Sequence, residues 1–194
     1  MEKQEKEKQS FFKKHWSNII FGVFVVLLIV PQTRMPIQVF INKIIAFSPS
    51  EIDADDRSRL EHYNWILMDE SEKDINFNQS KDRVVIINYW ATWCAPCIAE
   101  MPSFQNLYSE YKDEVDFYFV TNEESEKSES FMSKNDYVLP YYRQRSQAPE
   151  LLQSSSLPTT YMISKDGEIV MKKIGAANWN SDKVRNTIDE HLRR

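Results

Sequence analysis

Cys94 and Cys97 are the only two cysteines of the 194-residue chain, and two residues separate them. At that spacing one thiol can attack a disulfide and the other can resolve the mixed disulfide, so the pair points to thiol-disulfide exchange. The same spacing also serves zinc sites and c-type haem attachment. A structural zinc site wants four Cys or His ligands, and the histidines, His15, His62 and His191, are scattered far from the pair. Haem attachment wants His directly after the second cysteine, where Ile98 stands. Redox chemistry is therefore preferred, with an inert structural pair as the remaining reading.

The elements around the pair must place a nucleophile where a thiolate is stabilised. Val84 to Tyr89 reads as a strand, and Ile98, Ala99, Met101, Phe104, Leu107, Tyr108 and Tyr111 recur at helical spacing behind it. Cys94 thus falls at a helix N-terminus, whose unpaired N–H groups carry about half a positive charge. There the first thiol of such a motif titrates between about 3.5 and 7.5, against about 8.5 for free cysteine. Cys97, one turn further in, is the resolving thiol, and Pro96 pre-sets a helical φ in the first turn. Pro102, inside the same helix, removes one backbone hydrogen bond and is expected to kink the axis.

The remaining pattern predicts an α/β domain. Strands are expected near Trp65 to Asp69, Ile75 to Phe77 and Val115 to Thr121, and helices at Glu124 to Asp136 and Gln147 to Ser155. Tyr161 to Ser164 and Glu168 to Ile174 read as a hairpin through Lys165-Asp166-Gly167. Asn180 or Ser181 can cap a last helix running to Leu192. Glu123, Glu124, Glu126 and Glu129 read as the solvated face of a surface helix that packs through Phe131 and Met132.

Composition excludes several classes. The chain holds three glycines, so neither a phosphate-binding P-loop nor a dinucleotide fingerprint is present. Formal net charge is −5, and the segment 1–14 contributes five Lys against three Glu, leaving about −7 elsewhere. No nucleic-acid partner is expected from that balance.

The N-terminus bears on compartment. Ile19 to Val30 is twelve uncharged, almost wholly apolar residues behind Lys13, Lys14 and Trp16. Twelve residues make about 18 Å of helix, against roughly 30 Å of hydrocarbon, so a span must recruit flanking residues. A cleaved signal peptide is the rival, but no small-x-small site follows Val30 closely. We expect a cytoplasmic N-terminal segment at 1–18 and an uncleaved transmembrane anchor at 19–34, oriented by the lysine excess. Residues 35–64 then form an amphipathic segment, with Ile37, Phe40, Ile41, Ile44 and Ile45 on a face that lies along the membrane boundary or packs on the domain, followed by an acidic stretch that is a tether or a short solvated helix; the folded domain is 65–194.

Three separated motifs resemble the membrane-anchored thioredoxin-like proteins of the TlpA/ResA type, which reduce disulfides outside the bacterial cytoplasm. They are Asn88-Tyr89-Trp90-Ala91-Thr92-Trp93-Cys94-Ala95-Pro96-Cys97, Glu100-Met101-Pro102, and Leu157-Pro158-Thr159-Thr160-Tyr161-Met162-Ile163 with Lys165-Asp166-Gly167. The resemblance covers roughly Trp65 to Arg194. It implies a thioredoxin-like fold, a central mixed sheet flanked by helices, with an N-terminal membrane-anchor helix. It also implies a cis Leu157-Pro158 bond facing the cysteines, and substrate contacts from Trp93, Ala95, Pro96, Leu157 and Pro158. Glu100 becomes a proton-handling residue that tunes the thiols, against the plain alternative of a solvated helix glutamate. Asn88 stands where cytoplasmic thioredoxins carry a buried aspartate, and Asn cannot titrate.

The resulting expectation is an extracytoplasmic disulfide reductase, single-pass in the bacterial inner membrane and monomeric. Its substrates would be disulfides in exported proteins, with apocytochrome c as one candidate. Its electrons would come from a membrane thiol donor of the DsbD/CcdA kind, and it would need no cofactor beyond the cysteine pair. Two alternatives stand beside it: a disulfide-forming oxidase, and a membrane-tethered binding module or metallochaperone. Ala95-Pro96 supplies no cation of the sort that strong oxidants place between their cysteines.

Overall fold

The computed structural model describes the backbone of residues 2–194 and the side chains of residues 15–27, 29–30 and 33–194. Met1 and the side chains of 2–14, where the lysine-rich cytoplasmic end is expected, lie outside the described residues.

Val84 to Tyr89, all buried, forms a strand (β3) inside a seven-stranded sheet. The sheet takes the order β2-β1-β5-β4-β3-β6-β7, with β1 at Ile66–Met68, β2 at Asp74–Asn76, β4 at Val115–Thr121, β5 at Tyr141–Gln144, β6 at Thr159–Ile163 and β7 at Ile169–Ile174. The centre is parallel (β3 with β4, β4 with β5) and both flanks are antiparallel, so the sheet is mixed. Continuous burial of β3 and near-continuous burial of β4 explain why both read as apolar runs.

Alternation along β3 divides the core between the two faces of the sheet. Val84 and Ile86 join Met101, Phe104 and Leu107 of α3 (Ala95–Tyr111), Met132 of α4 (Ser125–Lys134), and Val184 and Ile188 of α5 (Asp182–Arg193). Ser181 caps α5 by accepting from the Val184 N–H. Val85, Ile87 and Tyr89 face the opposite cluster with Trp65, Leu67, Phe77 and Tyr161. By the same alternation Asn88 lies on the α3 side, fully buried.

Several expectations are corrected. The tether over residues 48–64 is instead a strap fastened to the domain, and the folded unit begins near Glu51 rather than at Trp65. The Ile52 N–H donates to Val170 O and the Leu60 N–H to Gly167 O, while Glu51 bridges Met171 and Arg59 bridges Glu168. Leu60 and Tyr63 are buried, and Arg57 inserts between Glu51 at 2.6 Å and Glu168 at 3.5 Å. Of the acidic residues there, Glu51 is paired with Arg57, whereas Asp53, Asp55, Asp56 and Glu61 stay exposed as their solvated reading expects. Gly167, at φ +80°, turns the β6–β7 hairpin, and a Cβ there would meet Tyr63 Oη at 2.9 Å.

The helix expected over Gln147 to Ser155 is one 3-10 turn, Glu150–Leu152, because Pro149 and the serine run permit no more. Strand β5 answers to no expectation. The proposed anchor at 19–34 is not one helix: α1 (Glu2–Ile29) ends and α2 (Pro31–Ile45) begins across Val30, which is extended at φ −71°, ψ 119°. A residue before proline is pushed out of the α region, and Pro31 starts the next helix. Thr33 Oγ1 donates to Leu27 O across the break. Among the described residues no helix is long and apolar enough to cross a membrane. α2 leaves Phe40, Ile41, Ile44 and Ile45 exposed.

Candidate active site

The turn that leaves β3 carries the cysteines to the N-terminus of α3, where Cys94 is the N-cap. Its Sγ accepts from the Cys97 N–H at 3.3 Å, and its carbonyl takes the first helical bond, from Ile98. A sulfur in that position faces the positive end of the helix and accepts one of its otherwise unpaired donors. The two cysteines are joined as a disulfide of 2.04 Å with Cα atoms 5.2 Å apart. Cys94 retains slight exposure and Cys97 has none, so an incoming thiol reaches Cys94 first.

The flanking residues differ in what they present. Trp93 is 64% exposed beside the pair, whereas Trp90 is buried against Phe131 with ring centroids 5.4 Å apart. Ala95 is buried and Pro96 half-buried in the first helical turn. The Leu157-Pro158 bond is cis, as the resemblance implies. Pro158 immediately precedes β6, whose first residue Thr159 pairs with Tyr89 at the end of β3, so both loops leave the same end of the sheet. Pro158 O is taken by the Gly175 N–H, while the Leu157 backbone has no hydrogen-bond partner among the described residues. A groove of about 330 Å³ runs between Trp93, Leu157, Glu123 and Ser155.

Glu100 is 1% exposed, on the face of α3 that also buries Cys97 three residues earlier. Its Oε1 accepts from Asn88 Nδ2 at 2.7 Å, and its Oε2 accepts from the Ala177 N–H at 3.2 Å and Trp179 Nε1 at 3.1 Å. Asn88 Nδ2 also donates to Thr160 Oγ1 at 2.8 Å. Burial raises the Glu100 pKa to about 8, while the hydrogen bonds from Asn88, Ala177 and Trp179 oppose the rise. The carboxyl is thus largely protonated at neutral pH and can release its proton within the physiological range.

The structure thus brings Cys94, Cys97, Glu100, Trp93, Ala95 and Pro96 together on one turn and helix, with Leu157 and Pro158 at the same sheet end. Sequence reading missed Glu123, whose carboxylate accepts from the Thr92 N–H at 2.5 Å and from Thr92 Oγ1 at 2.8 Å. It ties down the turn ahead of Cys94, and is not merely part of a solvated acidic face. Trp179 was missed as well. Neither has a local signal, because their partners lie 31 and 79 residues away.

Comparison with known proteins agrees with this geometry. The AhpC/TSA family model matches residues 61–172. The thiol-disulfide oxidoreductase ResA of Bacillus cereus is 32% identical over 117 residues, 58% of this chain and 66% of that protein. The ResA of Oceanobacillus iheyensis is 34% identical over 101 residues, 50% of this chain and 53% of that protein. The matches thus span between about half and two thirds of the length of these curated relatives. Among solved structures, a DsbF homologue from Corynebacterium diphtheriae superposes with a TM-score of 0.58 at 19% identity, covering 73% of this chain and 99% of that one. That likeness establishes the thioredoxin-like fold.

Proposed function

The chain belongs to the AhpC/TSA family as a ResA/TlpA-like protein of thioredoxin fold, and from that premise we propose that it is a thiol-disulfide oxidoreductase reducing disulfides outside the cytoplasm. The observation that carries this reading is the Cys94–Cys97 disulfide at the N-terminus of α3, with Cys94 as the N-cap. The shared name of the ResA relatives supports the reaction class.

The cycle needs no bound cofactor, since the cysteine pair itself carries two electrons. In the reduced protein the Cys94 thiolate attacks one sulfur of a substrate disulfide, and the electron pair of the broken S–S bond leaves on the other substrate sulfur. Cys97 gives its proton to Glu100 in the minority of molecules, at neutral pH, whose carboxyl is ionised. Its thiolate then attacks Cys94 Sγ, which releases the second substrate sulfur as thiolate and closes the Cys94–Cys97 bond. Resetting runs in reverse. A donor thiolate attacks the more accessible Cys94, Cys97 leaves as thiolate and recovers the proton from Glu100, and the donor's second thiol releases Cys94. The unpartnered Leu157 backbone and exposed Trp93 suit an extended polypeptide substrate laid across the pair.

In the same proposal the apolar N-terminal region tethers the domain to the bacterial inner membrane, facing outward. Ile19, Ile20, Phe21, Val23, Phe24, Val26 and Ile29 are all exposed, which suits lipid. A membrane dithiol of the DsbD/CcdA kind would supply electrons, and exported proteins such as apocytochrome c would receive them.

Two variants test the cycle. Cys97→Ser retains the nucleophile without the resolving thiol and is expected to accumulate a substrate adduct on Cys94, read as a mass increase that dithiothreitol removes. Cys94→Ser is expected to lose both adduct and turnover, and disulfide reduction at the wild-type rate by that variant would overturn the proposal.

A further inference from the structure

Glu100 is held by a loop far from it in sequence. Between β7 and α5, residues 175–181 bring Ala177 and Trp179 over α3, where both donate to Glu100 Oε2. Two backbone N–H groups of the loop are themselves tied down. The Trp179 N–H donates to Ser103 Oγ at 3.2 Å, Ser103 Oγ donates in turn to Glu100 O at 2.7 Å, and the Asn178 N–H donates to Phe47 O beyond α2. The Trp179 ring stacks on Phe104 with centroids 5.3 Å apart and planes 12° off parallel. The indole N–H therefore has one orientation, and it ends on the carboxylate.

We propose that Trp179 is a positioning residue for the thiol chemistry, its indole N–H fixing the Glu100 carboxylate on the helix face that carries Cys97. The proposal rests on the role of Glu100 in the cycle above. It gives Trp179 a task that core packing alone does not require, since a phenylalanine would fill most of the same space and stack on Phe104.

The surroundings make the indole's contribution legible. From β3 the carboxylate meets neutral Asn88, which reaches Thr160 of β6; from the loop it meets the Ala177 N–H and Trp179. On its own helix face the cysteines lie one to two turns away and Tyr111 three turns away against Asp189, and Lys43 of α2 lines a cleft over Ala99 and Ala177 outside the cradle. No charged side chain is among the causes that shift Glu100. Its proton affinity is thus set by burial against a few neutral donors, of which the indole is one. A hydrogen bond to an ionised group favours that form, so removing it is expected to raise the apparent pKa by about one unit.

The test follows the pH dependence of disulfide opening by dithiothreitol, relative to free glutathione disulfide, in the full chain, Trp179→Phe and Glu100→Gln. The wild type is expected to inflect near pH 8, and Trp179→Phe about one unit higher. An unshifted inflection in Trp179→Phe, while Glu100→Gln loses it, would overturn the proposal and leave the role of Glu100 intact. Loss of no inflection in Glu100→Gln would sink the underlying role and the proposal together. Should Trp179→Phe fail to fold, the wild-type protein supplies the second reading. The Trp179 indole N–H resonance is expected to titrate with the midpoint of Glu100 and to stop doing so in Glu100→Gln. An indole signal indifferent to that titration would overturn the proposal.

Discussion

Glu100 holds a buried carboxyl with no cation beside it among the described residues, and that has a measurable consequence for stability. Its pKa is raised from about 4.5 in the unfolded chain to about 8 in the folded one. Between those values the folded state holds a proton that the unfolded state has lost, so the contribution of Glu100 to stability is fully present below the unfolded pKa and is lost as pH rises through the folded one. The loss approaches about 1.4 kcal/mol per pH unit across that window. Glu100→Gln is expected to flatten this slope, and urea midpoints of the disulfide form at pH 5.5, 7 and 8.5 measure it. At this scale the cysteines were legible because they are the only two and their spacing is itself chemical. The burial of Glu100 was not, since a glutamate two residues before proline reads equally well as solvated. The Glu123–Thr92 and Trp179–Glu100 contacts were not legible either, because nothing in the local pattern marks a partner across the fold.

Among the elements, strand–turn–helix at Val84 to Tyr111 was readable because a buried parallel strand, an N-cap position and Pro96 each give a local signal. Strand β5 was not. It is four residues long, follows Pro140, contains Arg143 and Gln144, and exists because β4 and β1 flank it. The strap from Glu51 to Arg59 was misread for a related reason, since its exposed Asp53, Asp55 and Asp56 suggest solvent while the bonds of Glu51, Ile52, Arg57 and Leu60 to the domain have no local signal. Arg57, with a side chain 9% exposed, also donates through Nε to Ile52 O. Arg57→Ala is expected to cost about 1–3 kcal/mol by leaving half-buried Glu51 and Glu168 without their shared cation. A lowered denaturation midpoint with an unchanged rate of Cys94–Cys97 reduction would show that the strap braces the domain without entering the chemistry.

Across the whole molecule, the mixed sheet places the cysteine turn and the Pro158 loop at one end, with Glu100 and its cradle beneath the pair. The fold class was legible because three motifs in order define that arrangement. The N-terminal course was less so, since the hydropathy of Ile19 to Val30 gives no warning that Pro31 divides the helix. The proposed reductase activity requires that Cys94 and Cys97 form a reversible two-electron centre of low potential. The helix N-terminus favours the Cys94 thiolate, but Ala95-Pro96 adds no cation that would stabilise the reduced form further. The most direct measurement is the reduction potential of the pair in the full chain, held in detergent and equilibrated against dithiothreitol or glutathione buffers. A reversible transition near or below about −270 mV is expected. A value near −120 mV would mark an oxidant and contradict the reductase, and the absence of any reversible transition would contradict thiol-disulfide catalysis itself.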